Sequence, residues 1–99
     1  MQVAIVTGAS SGIGFGCATK LAEAGMAVLG TGRDEARLAE LKAHDPQHIE
    51  TLAVDLTADD APRRIVDTAM ERWGRIDFLI NNAGVGSPCL LYTSPSPRD

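Results

Sequence analysis

"TGASSGIG", Thr7 to Gly14, joins a short apolar run to an amphipathic one. The run before it, "QVAIVT" (Gln2–Thr7), is β-branched and stops at glycine. It reads as a strand buried on both faces, as in a parallel sheet. A helix is expected from near Gly12, with Ile13, Cys17 and Leu21 as one apolar stripe and Gly25 as its C-terminal cap. A glycine-rich turn between a strand and a helix is where a phosphate is held. Gly8 permits the tight turn out of the strand. Gly12 leaves the backbone bare for a pyrophosphate, and Gly14 lets the helix sit close to the sheet. Unpaired N–H groups at the helix start, with the positive end of its dipole, face the anion. Ser10 and Ser11 add hydroxyls. Gly8, Ser10, Ser11, Gly12, Ile13 and Gly14 are the candidate contacts of this turn.

Outward from the turn the pattern alternates. "MAVLGTG" (Met26–Gly32) is a second strand, followed by a helix over 34–44 with Leu38 and Leu41 as its apolar face. "IETLAVD" (Ile49–Asp55) is a third strand. Thr57 reads as the N-cap of a third helix, with Asp59 and Asp60 in its first turn. Ile65, Val66, Ala69, Met70 and Trp73 are expected on its buried face, and Gly74 stops it. "IDFLIN" (Ile76–Asn81) is the fourth strand. The βαβαβαβ alternation predicts an α/β fold, the N-terminal half of a doubly wound Rossmann parallel sheet, truncated, with strand order 3-2-1-4. The outer edge of the fourth strand has no visible partner and is expected to be an aggregation hazard.

The composition fits one small domain. Its 99 residues are 44% hydrophobic and 22% charged, and the formal net charge of -4 argues against a nucleic-acid surface. No apolar run is long enough for a membrane span, and "MQVAIVTGAS" lacks the character of a signal peptide, so a cytoplasmic location is expected. Cys17 and Cys89 form neither a disulfide framework nor a metal pattern.

The spacing G-x-x-x-G-x-G departs from the common dinucleotide fingerprint G-x-G-x-x-G. With "GTGR" ending the second strand, "VDL" (Val54–Leu56) the third and "NNAG" (Asn81–Gly84) the fourth, it resembles the short-chain dehydrogenase/reductase family over Met1 to about Gly86. The resemblance implies that Asp55 bonds the adenine amino group with Leu56 beside the ring. It implies that Asn82, Ala83 and Gly84 border the adenosine ribose. It also implies a small-molecule alcohol or carbonyl substrate and a homodimer or homotetramer.

The residue that reads the ribose 2′-hydroxyl should lie about 20 residues past the turn. That position is Gly32, which has no side chain, and Arg33 follows it. A guanidinium binds a 2′-phosphate where a carboxylate would repel one. NADP(H) is therefore favoured, with NAD(H) possible. Ser11 stands where NADP-preferring relatives often carry a second basic residue, and Asp34 can either cap the next helix or turn toward the ribose.

The family's catalytic tyrosine needs a lysine four residues on to lower a phenol pKa of about 10. The only tyrosine is Tyr92, and Ser96 stands four residues later, so no catalytic residue is assigned. The closing peptide "CLLYTSPSPRD" (Cys89–Asp99) resembles an in-frame translation of a sequencing-library adaptor. The expected division is 1–88, a partial NAD(P)-binding Rossmann domain, and 89–99, a non-native tail. Two other functions stay open: a dinucleotide-binding sensor or scaffold without catalysis, and a sugar-nucleotide epimerase, whose glycine spacing fits less well.

Overall fold

The computed structural model describes residues 1–10, 12–81 and 90–93. These form a five-stranded sheet and three helices. In chain order they are β1 (Val3–Thr7), α1 (Gly12–Glu23), β2 (Ala27–Gly32), α2 (Glu35–His44), β3 (Ile49–Ala53), α3 (Ala61–Trp73), β4 (Phe78–Asn81) and β5 (Leu90–Thr93). The sheet order is β3-β2-β1-β4-β5. β1 pairs with β2 and β4 in parallel, and β2 with β3 in parallel, which gives the expected 3-2-1-4 half of a Rossmann sheet. Every residue of β1 and β2 is buried, because helices cover both faces.

α1 and α2 lie on one face of the sheet. Ala18, Ala22, Leu38 and Leu41 pack there on Val6, Val28, Ile49 and Ile80. α3 lies on the other face, where Ala61, Ile65 and Ala69 pack on Ile5 and Leu29. The stripe of α1 that meets the sheet is Gly14, Ala18 and Ala22, one position on from the expected Ile13, Cys17 and Leu21. Small residues let the helix approach closely. Ile13 is instead 59% exposed, while Cys17 and Leu21 pack on the flank of the core. On α3, residues four apart (Ala61, Ile65, Ala69, then Trp73) face the sheet, so Val66 and Met70, expected inside, are exposed on the helix flank.

Several boundaries have local causes. α1 ends in a Schellman motif: Gly25 has φ 92°, its N–H bonds Ala22 O, and Met26 N–H bonds Leu21 O. Asp34 caps α2, with Oδ1 accepting from Arg37 N at 3.2 Å. β3 stops at Ala53 and α3 starts only at Ala61, not at Thr57. Thr57 is engaged by Asp55, and Pro62, placed in the first turn of the helix, sets its start.

The expected open edge of β4 is covered. β5 pairs with it antiparallel, Phe78 opposite Thr93 through Asn81 opposite Leu90. An unpaired strand edge accepts any short extended segment, and "LLYT" supplies one. A connection from Asn81 to Leu90 is too short for a parallel crossover, so the return is antiparallel. Among the described residues no helix is long and apolar enough to cross a membrane.

Candidate dinucleotide site

The strand order puts the C-terminal ends of β1, β2 and β3 side by side. Three separated stretches therefore converge on one edge of the sheet: the turn after β1, Arg33 after β2, and Asp55 with Leu56 after β3.

The turn after β1 is pinned at several atoms. Gly8 has φ 69°, in the left-handed region that favours glycine. Ala9 N–H donates to Thr31 O at 2.8 Å, which ties the turn to the end of β2. Ser10 lies against Gly32: a Cβ built on Gly32 would stand 2.6 Å from Ser10 Oγ and 3.2 Å from Ser10 Cβ. The missing side chain at 32 thus does more than remove a carboxylate, since its place is taken by the turn itself. Gly14 is buried at the base of α1.

Space and charge at the start of α1 suit an anion. A Cβ on Gly12 would meet nothing within 4 Å, so the backbone there is open on its outer side. No acidic residue stands in the first turn of α1 to compete for its amides. Ile13 presents an exposed apolar side chain beside that opening. A dinucleotide needs a bare backbone, free donors and an adjoining apolar surface, and these residues fit it.

On the β3 side, Asp55 is exposed and organises its own loop. Its Oδ1 accepts from Thr57 Oγ1 at 2.7 Å and from Thr57 N at 3.0 Å. The Thr57 hydroxyl, then its N–H, hold the carboxyl below the usual range, and the positive charge of Arg33 adds to this. Arg33 is exposed. Leu56 is half-buried against the α3-side core.

Two features escape the sequence reading. Thr7 Oγ1 donates to Asn81 Oδ1 at 2.9 Å, which ties the last residues of β1 and β4. Arg37, in the first turn of α2, reaches back to the glycine turn: Nε donates to Ser10 O at 3.4 Å, and the guanidinium carbon lies 4.3 Å from the centre of the Phe15 ring. Helical side chains slant toward the helix N-terminus, and this slant was the one available clue to Arg37. Asp34 is held as a cap rather than turned to a ribose. Ser11, Asn82, Ala83 and Gly84 lie outside the described residues.

Comparison with known proteins agrees with this geometry. The model of one family, described as short chain dehydrogenase, matches residues 2–95. An "Uncharacterized oxidoreductase" of Staphylococcus saprophyticus is 46% identical over 88 residues, covering 85% of this chain and 38% of its own. A "Probable NADP-dependent dehydrogenase" of Haemophilus influenzae is 42% identical over 82 residues, covering 83% of this chain and 32% of its own. The crystal structure of a short chain dehydrogenase from Bacillus anthracis superposes with TM-score 0.77 at 41% identity, covering 84% of this chain and 34% of that one. The chain thus spans about a third of the length of the relatives it matches. With its parallel 3-2-1-4 sheet and its glycine turn at the head of α1, the chain belongs to the short-chain dehydrogenase/reductase family of oxidoreductases.

Proposed function

We propose that the complete protein carrying this chain is an NADP(H)-preferring oxidoreductase that interconverts a small alcohol and its carbonyl, and that this chain is its cofactor-binding half. The amides at the start of α1, with Ser10 and Ser11, take the pyrophosphate. Asp55 and Leu56 border the adenine, and Asn82, Ala83 and Gly84 the ribose. A nicotinamide cofactor held there would supply the hydride exchanged with the substrate carbon. The chain's own residues bind and orient. The proton-transferring tyrosine and its lysine lie on sequence outside it, so the 99 residues alone turn over no substrate. A cytoplasmic location and a homodimer or homotetramer complete the proposal.

The observation that carries the NADP preference is the position of Arg33. It is an exposed cation at the end of β2, next to a residue whose side-chain space is filled by Ser10. A charge-assisted hydrogen bond is worth about 1.5–3 kcal/mol, or roughly tenfold or more in affinity. In the complete enzyme, Arg33→Ala should weaken NADP(H) by that factor in calorimetric titration and leave NAD(H) nearly unchanged. Equal loss for both cofactors, or tighter NAD(H) binding by the unaltered enzyme, refutes the preference.

We also propose that Cys89–Asp99 is foreign sequence joined to residues 1–88. The pairing of Leu90–Thr93 with β4 does not bear on origin, because backbone pairing at an open edge tolerates many sequences. Source DNA read past the codon for Pro88 tests it. A gene that continues with another sequence and encodes Tyr-x-x-x-Lys supports both this and the oxidoreductase, whereas a gene without that pair supports a sensor.

A further inference from the structure

We infer that Arg37 is a positioning residue of the dinucleotide site, holding the glycine turn in its binding shape from behind rather than touching the cofactor. Two of its guanidinium nitrogens bond protein groups. Nε donates to Ser10 O at 3.4 Å, Nη1 to Glu40 Oε1 at 2.7 Å, and Cζ sits 4.3 Å from the centre of the Phe15 ring. Phe15 belongs to α1 and is itself steadied by an edge contact with His44 of α2, ring centres 5.3 Å apart. One cation therefore joins α1, α2 and the turn between β1 and α1.

Ser10 is gripped from two sides. Its carbonyl faces Arg37, and its side chain fills the space over Gly32. The preceding residue is also held, through Ala9 N and Thr31 O. The Ser10 carbonyl that Arg37 holds lies two residues before the start of α1 at Gly12. Amides that are already aimed lose less freedom when an anion arrives. This rests on the dinucleotide site proposed above, but not on its preference for NADP.

The test uses the complete oxidoreductase with Arg37→Gln, and with Phe15→Leu, which removes the ring under the guanidinium and keeps the cation. NADP(H) and NAD(H) affinities are measured by calorimetry, and amide hydrogen exchange at Gly12, Ile13 and Gly14 is measured without cofactor. Arg37→Gln should weaken both cofactors by the same factor, about 3- to 10-fold for a long, partly exposed charged hydrogen bond. Exchange at the three amides should quicken, and Phe15→Leu should show the same pattern at smaller amplitude. Unchanged affinities with unchanged exchange overturn the inference. So does a loss confined to NADP(H), which would make Arg37 a phosphate contact. If Arg37→Gln fails to fold, Phe15→Leu decides by the same criteria. Arg33→Ala, run alongside, separates the two claims: its failure to discriminate removes the NADP preference and leaves the Arg37 result standing. An unaltered enzyme that binds neither cofactor sinks both.

Discussion

Converting the site toward NAD by placing a carboxylate at the end of β2 should fail unless Ser10 is changed with it. In Gly32→Asp the new Cβ stands 2.6 Å from Ser10 Oγ and 3.2 Å from Ser10 Cβ. The hydroxyl can rotate aside, but Cβ cannot, and Ser10 cannot easily retreat while Arg37 and Ala9 hold the turn. Overpacking of this kind costs about 1–3 kcal/mol. At about 2–4 °C per kcal/mol for a domain of about 150–250 residues, the midpoint should fall by about 2–12 °C. Replacing Ser10 by glycine removes both close atoms, while the backbone N of residue 10 stays at 3.4 Å, an ordinary contact. That change alone costs about 0.5–1 kcal/mol in backbone entropy. The double variant should therefore be more stable than the sum of the two losses, with a coupling of about 1 kcal/mol against the roughly 0.3–0.5 kcal/mol scatter of independent sites. It should also be the variant that gains NAD(H) affinity, because only there can the carboxylate reach a ribose hydroxyl. Thermal unfolding and calorimetric titration of the four proteins in the complete enzyme measure both quantities. Additive losses, or a Gly32→Asp enzyme of full stability that already prefers NAD(H), refute the reasoning.

Two further outcomes follow from packing and charge. Gly30→Ala puts a Cβ 2.7 Å from Leu41 Cδ2 and 3.1 Å from Ala9 Cβ, so it should destabilise by about 1–2 kcal/mol despite the entropy gained over glycine, as a thermal melt would show. Asp77 is held below its ordinary value of 3.8 by the Arg75 guanidinium, and also by the N–H of Val3. Its folded pKa is depressed, so the stability it contributes is complete above 3.8 and is lost as pH falls through the lower folded value. Asp77→Asn should flatten part of the acid limb of a melting-temperature profile, and an unchanged slope would show that the pair does not contribute.

What the sequence revealed and what it hid divide along physical lines. The left-handed turn at Gly8 and the burial of Gly14 against the sheet were legible because both are set by the backbone, and a missing side chain is visible in a list of residues. The strand order was legible because parallel crossovers leave few topologies open. The stripe of α1 was misplaced because hydrophobicity favours Ile13, Cys17 and Leu21, whereas the sheet demands close approach and takes Gly14, Ala18 and Ala22. The start of α3 was misplaced because Thr57 is equally suited to capping a helix and to closing a turn on Asp55, and only the loop geometry decides.

Arg37 and Asn81 were missed for a different reason. Each acts through a partner distant in sequence: Arg37 on Ser10, and Asn81 on Thr7. Beyond the slant of helical side chains that hints at Arg37, local pattern carries no trace of such pairs. Yet they decide how firmly the glycine turn and the end of β4 are held, and so how much of the cofactor's binding energy is left after ordering the site. If the coupling between positions 10 and 32 and the uniform loss in Arg37→Gln are both observed, cofactor affinity in this chain is a property of the turn's support, and cofactor choice one of positions 32 and 33. Transferring Arg33 alone into a relative whose turn lacks an equivalent of Arg37 should then shift preference by about as much as removing it here does, while the affinity for both cofactors stays lower.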